Sequence, residues 1–577
     1  MFIEPKYSTL NQLFAERVFR IPKYQRFYSW ERRQREDLLN DISVLHKRGS
    51  DEHHFMATIV CFRTQDEKRV GAKLYRLYDV VDGQQRLTTL IILLKCIHLL
   101  ADESEEERRD VADILVKRDG NVVLLQTNNA NEYLFHAFIK DGREPRPEEM
   151  ATAADHNLAA AIKQCKQFVD EWKTKEGGVL SLFSLLMYRL GFVIYDTDSE
   201  KLVYSVFEIL NSRGLAVDWL DKCKSVLMGK AFELAKSPEA AGAQVNRIND
   251  IWAKIYAELA NKLIPGSEVL RVTATLRLGS NISRPMDDSS ALEAIRQRCS
   301  EEDNTVRVSE WILDATRKLV ELRRGRLEPI AHILQSRLLA VAIMTAEYLT
   351  DEQRVQALEQ WERVTFRIFG LFDKDARTKV GEYTRLAIAV MTGHDGASNY
   401  DRLMRSLRGL ALDHPIEDAV EVALKGTNFY EGNPGRCRYV LWRYEEYLAR
   451  EAGRGAEIED QVMRAVWGRP AEKTIEHIFP QNPEPNGPWR AKMRRGSVGR
   501  ACPVGDHVHR IGNLALLSAT LNDEAKRQGF EQKKAVYLKQ QLLMFREVLT
   551  CGNWTLKEIE DRENRIMEWA RGEWADL

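Results

Sequence analysis

The sequence predicts a predominantly helical α+β protein, and three observations carry that reading. From about Lys230 to Arg450 almost every segment, such as "VNRINDIWAKIYAEL" and "HILQSRLLAVAIMTAEYL", places apolar residues at i, i+3 and i+4. Short β-branched or alternating runs are confined to the two flanks of that region. A chain of 577 residues is also too long for one ordinary core, so about two to four domains are expected. The boundaries read from the sequence are 1–229, a helical middle region 230–450, and 451–577. The last boundary falls in the polar, glycine-containing stretch "REAGRGAEIEDQ".

The elements follow in order. Leu10 to Phe19 has helical spacing, Pro22 opens an extended piece, and the helical pattern resumes at Glu31. "HFMATIVCFRT" and "KLYRLYDVV" read as strands, and Leu87 to Leu100 as an apolar helix. "ADESEEERRDVADIL" reads as a solvated charged face. "NVVLLQTN" and "RLGFVIYDTD" read as further short strands, and "KLVYSVFEILNSRGLAVDWLDKCKSVLMGKAF" as helix, turn at Gly214, helix. In the C-terminal part a strand ends at Glu476-His477, a second runs from Asn513 to Leu517, and a helix starts near Leu521.

Composition narrows the function classes. The chain has 85 basic and 86 acidic residues and a net charge of -1, so a nucleic-acid partner would have to use local patches. The eight cysteines are scattered without a C-x-x-C pair, which argues against a zinc site or a disulfide framework and fits a reducing cytoplasm. The start, "MFIEPKYSTLNQLFAER", has no apolar core of a signal peptide. The longest apolar run, "TTLIILLKCIHLLA", is too short to span a bilayer. A cytoplasmic protein with no membrane partner is expected.

Two segments carry chemistry. In "LYDVVDGQQRLTTLIILL" a strand ends at Asp82-Gly83 and a helix follows, with Gln84, Gln85 and Arg86 at the junction. Glycine lets another group approach the backbone. A helix start attracts an anion, and an arginine fork suits phosphate. A plain turn with Asp82 as cap is the competing reading. The second segment is "KTIEHIFPQNP" with "HRIGNLALLSATLNDEAKRQGFEQKKAVYL". Strand, strand and helix in that order are the arrangement of an HNH (ββα-metal) nuclease. Such a site needs oxygen ligands for a hard divalent cation, here Glu476 and Asn522. It also needs a neutral imidazole, His477, to deprotonate water. Core or cap duty explains His477, Asn513 or Asn522 taken singly, and less well taken together. Between them, "NGPWRAKMRRGSVGRACPVGDHVHR" carries Arg490, Lys492, Arg494, Arg495 and Arg500. These either grip a DNA backbone or form a solvated loop. His507 and His509 lie near enough in sequence to replace or support a ligand.

"IEHIFPQ", "RIGNLALLSATLN" and "FEQKK" together resemble the HNH domain of GmrSD-type modification-dependent (type IV) restriction enzymes. "IPKYQRFYSW", "VVDGQQRLTTL" and "VFEILNSRGLAVDWLDKCKS" resemble the partner domain of that family, which has a ParB/sulfiredoxin-like nucleotide-binding fold. The resemblance implies that His477 is the general base and Asn513 braces the catalytic loop, with Glu476 and Asn522 on Mg²⁺ or Mn²⁺. It implies that Asp82, Gly83, Gln84, Gln85 and Arg86 face the phosphates of an NTP such as GTP or ATP. Tyr24, Gln25 and Arg26 would line the same pocket, and Asn211, Arg213, Gly214, Asp221 and Lys224 would close it. The function implied is an NTP-regulated, metal-dependent endonuclease of phage defence that cuts or nicks modified double-stranded DNA, with NTPase activity in its N-terminal domain. A homodimer would make paired cuts simple. Two alternatives stand beside it: an NTP-dependent DNA-binding switch with a degenerate nuclease, and a host-directed toxin nuclease.

Overall fold

The computed structural model describes residues 5–15, 17–22, 25–48, 54–70, 73–101, 111–117, 122–127, 132–175, 178–199, 202–203, 218–260, 264–299, 304–323, 327, 329–330, 332–393, 400–425, 428–453, 460–484, 487, 489, 505–540 and 542–575. They form a mostly helical α+β protein with one mixed sheet. The chain divides into two compact units. One comprises Met1–Ala274 and Met286–Arg317, the other Thr275–Pro285 and Lys318–Leu577. The stretch 230–450, read from the sequence as one helical region, is shared between them. Among the described residues no helix is long and apolar enough to cross a membrane, and seven cysteines are free thiols.

The N-terminal unit is built on a six-stranded sheet. Its strands are β1 (Lys6–Thr9), β2 (Arg17–Ile21), β3 (His54–Val70), β4 (Lys73–Asp82), β7 (Leu125–Thr127) and β8 (Leu190–Thr197), with β5 (Val116–Lys117) and β6 (Val122–Val123) pairing apart. The spatial order is β1-β8-β3-β4-β2-β7. β4 lies inside the sheet, antiparallel to β3 and parallel to β2. The helical reading of Leu10 to Phe19 is corrected here. The helix stops at Phe14, and Arg17–Ile21 becomes β2. Val18, Phe19 and Ile21 are buried in the sheet, so long-range pairing overrides local helical spacing. Arg20 lies opposite Asp79 of β4 and donates to both its carboxylate oxygens at 2.5 and 2.9 Å.

The helix Gln84–Leu100 leaves β4 and is buried along almost its whole length, with Leu87, Leu90, Ile91 and Leu94 all at 0% exposure. A helix apolar on every face must be enclosed. Here the helix Ala153–Lys175 packs along it. At roughly 1.5–3 kcal/mol per fully buried large aliphatic side chain, this burial fixes where the helix begins and therefore where the Asp82–Arg86 junction sits.

The C-terminal unit is helical apart from a two-stranded antiparallel ribbon, β9 (Ile475–His477) and β10 (Leu514–Leu516). The helix Asp351–Thr365 runs into a π-helical turn, Phe366–Leu371. Its Glu362 joins a buried cluster in which Arg443 meets Glu362, Glu446 and Glu573. The long helices Pro434–Glu451 and Leu556–Glu573 carry these partners.

Candidate functional site

In the N-terminal unit the junction after β4 is a tight turn. Gly83 has φ 93° and ψ 1°, a left-handed conformation that costs other residues roughly 1–2 kcal/mol. A Cβ there would also lie 3.2 Å from Ile59 Cγ1. The first intrahelical bond runs from the Leu87 N–H to the Gly83 carbonyl. The N–H groups of Gln84, Gln85 and Arg86 therefore have no acceptor within the helix.

Charged side chains gather beside this turn. Burial pushes the Asp82 carboxyl upward, while the Gly83 N–H, Arg86 and Arg26 oppose the shift. Arg26 lies 3.4 Å from the Asp221 carboxylate, and Asp221 also accepts from the Tyr256 hydroxyl. Lys224 is buried, and burial holds its ammonium well below the usual lysine range against the pull of Asp221. Its Nζ stands 5.7 Å from the Tyr256 ring centre. Arg86 is half-buried over Trp30, and burial lowers its pKa.

The two glutamines are bonded to protein groups. Gln85 accepts from the Ser29 N–H at 2.9 Å and donates to the Phe27 carbonyl at 3.1 Å. Gln84 donates to Gln25 Oε1 at 3.3 Å, and Gln25 donates to the Val81 carbonyl at 3.0 Å. Their amides tie the 25–29 segment to the end of β4, because a buried amide needs both a donor and an acceptor partner. Gln84 Oε1 is buried without a partner. It borders a small cavity lined also by Arg26, Tyr28, Gln85, Thr88 and Thr127. Tyr24, Asn211, Arg213 and Gly214 lie outside the described residues. Tyr256, which sequence spacing gave no reason to single out, belongs to the cluster through its bond to Asp221.

In the C-terminal unit His477 closes β9. It is 6% exposed, and burial, with His509 and Lys533 adding to it, pushes its pKa down to about 3. The ring is therefore neutral at pH 7. Its Nε2 lies 3.0 Å from His509 Nδ1, so one proton is shared between two imidazoles. Tyr430 stacks on His509 and meets His477 edge-on. The Gln481 amide nitrogen lies 3.1 and 3.2 Å from the two His477 nitrogens. Glu431 stands 3.5 Å from His509 Nε2.

Asn513 is fully buried. Its Oδ1 accepts from the Phe479 N–H at 2.8 Å and Trp554 Nε1 at 3.0 Å. Its Nδ2 donates to the Phe479 and Val508 carbonyls at 2.9 and 2.8 Å. With every bond committed it contacts no reacting group. It braces the loop after His477, and the catalytic place expected for it narrows to that.

Glu476 departs from the expected open ligand. Pairing with Ala515 places it on the inner side of the ribbon. There its Oε1 accepts from Lys533 Nζ at 2.6 Å and from the Tyr537 hydroxyl at 2.7 Å. Lys533 is 0% exposed and donates also to the His477 carbonyl at 2.7 Å. Asn522, in the helix Ala519–Ala525, donates to the Lys473 and Ile475 carbonyls at 3.0 and 3.1 Å. Its amide oxygen has no bond drawn from those two. An ammonium already neutralises the one carboxylate of the expected ligand pair, so these residues do not fit an open oxygen cage for a divalent cation. Among the described residues no group of three His, Cys, Asp or Glu could hold a metal ion. Lys533 lies in the quoted "FEQKK" segment, but its partner is 57 positions away, a distance no local pattern reports. Arg490, Lys492, Arg494, Arg495 and Arg500 lie outside the described residues.

A buried neutral histidine at the end of a short strand, braced by a buried asparagine from the turn before the next strand, suits hydrolysis of a phosphodiester. The comparisons agree with that class. Residues 414–569 match the family described as GmrSD restriction endonucleases, C-terminal domain, and residues 10–228 match GmrSD restriction endonuclease, N-terminal domain. The protein is a restriction endonuclease with DNA as its substrate, and the chain belongs to the GmrSD family. A comparison with individually curated proteins gives no match.

Proposed function

We propose that the chain is an NTP-regulated endonuclease of phage defence that cuts or nicks modified DNA at His477. The observation that carries this is a neutral imidazole at the mouth of β9, inside the segment matched to the nuclease family. In this reading β9, β10 and the helix Ala519–Ala525 are an HNH site, and the N-terminal unit is a ParB/sulfiredoxin-like nucleotide domain. His477 takes a proton from the attacking water. A DNA phosphate brought beside it would raise its affinity for that proton, since a nearby negative charge favours the imidazolium. His509, already sharing a proton with His477 and lying near Glu431, offers the route by which the proton leaves. The nucleotide reading rests on the Gly83 helix start and the Asp82, Arg26, Arg86, Asp221 and Lys224 cluster, not on the glutamines.

One observation favours the switch without cleavage: the Lys533 ammonium on Glu476. A divalent cation would have to compete with Lys533 for that carboxylate. The test covers both readings. Wild type and His477→Ala are assayed on matched unmodified, glucosylated and phosphorothioated duplexes, with Mg²⁺, Mn²⁺ or a chelator, each with and without NTP. Cleavage of a modified duplex that depends on NTP and falls by about 10²–10⁴ in His477→Ala supports the nuclease. NTP hydrolysis and DNA binding with no cleavage under any condition would replace it with the switch.

A further inference from the structure

The C-terminal unit carries a concentration of arginine that the histidine site does not use. On the helix Tyr400–Gly409, Leu403 and Leu407 are buried, while Arg402, Arg405 and Arg408 are exposed. They follow one another at i, i+3 and i+6, which spans roughly 9 Å at about 1.5 Å per residue. Arg408 meets Arg363 and Arg367 at a cleft lined also by Gln360 and Trp574. Every ionised group on that cleft is a cation.

Two of its donors are idle. Arg363 Nε and Trp574 Nε1 are buried with no hydrogen-bond partner, and Trp574 is 1% exposed. Arg367 by contrast is committed to the carbonyls of His414, Ala411 and Trp574. Among the described residues Arg363, Arg402, Arg405 and Arg408 form no ion pair. On the neighbouring helix Ile416–Leu424, Glu417 is held by Arg571 and Glu421 by Arg571 and Lys425. A buried N–H donor without an acceptor is destabilising, and unneutralised guanidinium groups repel one another. A surface of donors with no acceptor is what an oxyanion satisfies.

We propose that this cleft and the Arg402–Arg405–Arg408 ridge bind phosphates of the DNA backbone. The proposal rests on the reading of the chain as a DNA endonuclease. Contacts of this kind position a duplex without reading its sequence. They release counterions, so their signature is the salt dependence of binding, about 0.9 in the log–log slope per phosphate contact.

The experiment uses the full chain with His477→Ala as parent, so that DNA is bound and not cut. Affinity for a fluorescent duplex is measured by anisotropy across a series of salt concentrations. Added to that parent, Arg402→Gln/Arg405→Gln/Arg408→Gln should lower the slope by about 3 and weaken binding equally for unrelated sequences, with an unchanged melting temperature. Arg363→Gln alone should lower it by about 1. A parent that binds DNA with a slope the triple variant leaves unchanged overturns the ridge alone. A parent that binds no DNA at any salt overturns the endonuclease reading and the ridge with it. A calorimetric arm with inorganic phosphate separates the sources. Phosphate binding lost in Arg363→Gln, beside an unchanged DNA slope, would make the cleft a free-phosphate site and end the DNA proposal.

Discussion

The helix start in the N-terminal unit and the histidine site in the C-terminal unit manage buried charge in opposite ways. The first collects ions of both signs, Asp82, Arg26, Arg86, Asp221 and Lys224, around a turn left partly open. Arg26 keeps a side-chain exposure of 35% while pairing with Asp221. The second seals the Lys533–Glu476 ion pair completely. Lys533 and Glu476 have side-chain exposures of 0% and 3%, and the His477 ring beside them is neutral and packs against His509, Tyr430 and Gln481. Charge kept near water can change partners when a phosphate arrives, whereas charge sealed in a dry interior can only hold a shape. The comparison thus assigns ligand exchange to the first site and rigid support of a neutral base to the second.

The sharpest way to break that comparison is Lys533→Met. Removing one partner of a sealed ion pair leaves a buried carboxylate uncompensated, at a cost of about 3–5 kcal/mol. Denaturant unfolding followed by circular dichroism should show that loss, and the double variant Lys533→Met/Glu476→Gln should recover most of it. The parallel cut in the other unit, Arg26→Met, should cost less, because the Arg26 side chain stays 35% exposed and a pair near water contributes less than a sealed one. Equal losses in the two single variants would remove the distinction.

Two further substitutions sharpen the N-terminal side. Tyr256→Phe deletes the hydroxyl that donates to Asp221. A hydrogen bond to a charged group contributes about 1.5–3 kcal/mol. Freed of it, Asp221 should hold Arg26 differently, so NTP affinity measured by calorimetry should change along with stability. A stability loss with unaltered NTP affinity would confine Tyr256 to packing. Gly83→Ala should cost about 1–2 kcal/mol for its left-handed φ, and the contact with Ile59 at 3.2 Å adds to that. Because the turn presents the N–H groups of Gln84, Gln85 and Arg86, NTP binding should weaken in the same variant.

Much of this was legible from local pattern. The strand running into Asp82-Gly83, the enclosed helix after it, and the strand, strand and helix around His477 and Asn522 all announce themselves within about ten residues, where periodicity and turn chemistry act. The helix after Gly83 begins at Gln84 rather than Leu87 because glycine, with its αL conformation, serves as the cap. What stayed hidden is what depends on partners far along the chain. β2 was masked by helical spacing until β4 and β7 paired with it. The partners of Gln84 and Gln85, the Gln25 side chain and the backbone of Phe27 and Ser29, lie more than fifty positions away. Lys533 and Tyr537 take Glu476 from 57 and 61 positions away. A residue type tells what a side chain can bond; only the fold decides which of several competent partners it meets.

The smallest effect concerns pH and separates the neutral site from its charged counterpart. His509 and Lys533 near the His477 ring both disfavour its protonation together with burial. In the unfolded chain His477 takes up a proton near pH 6.5, and in the folded protein only near 3. Between those values the unfolded state binds more protons, so stability falls as pH falls. One such group contributes a slope approaching about 1.4 kcal/mol per pH unit, or about 1 kcal/mol between pH 6 and 5. His477→Gln, which cannot titrate, should therefore lose less stability than wild type over that interval when both are unfolded in denaturant. A wild type and variant with parallel pH dependence would mean that the folded imidazole charges as readily as a free one. The site would then hold a cation at mildly acid pH, and its contrast with the helix-start cluster would be lost.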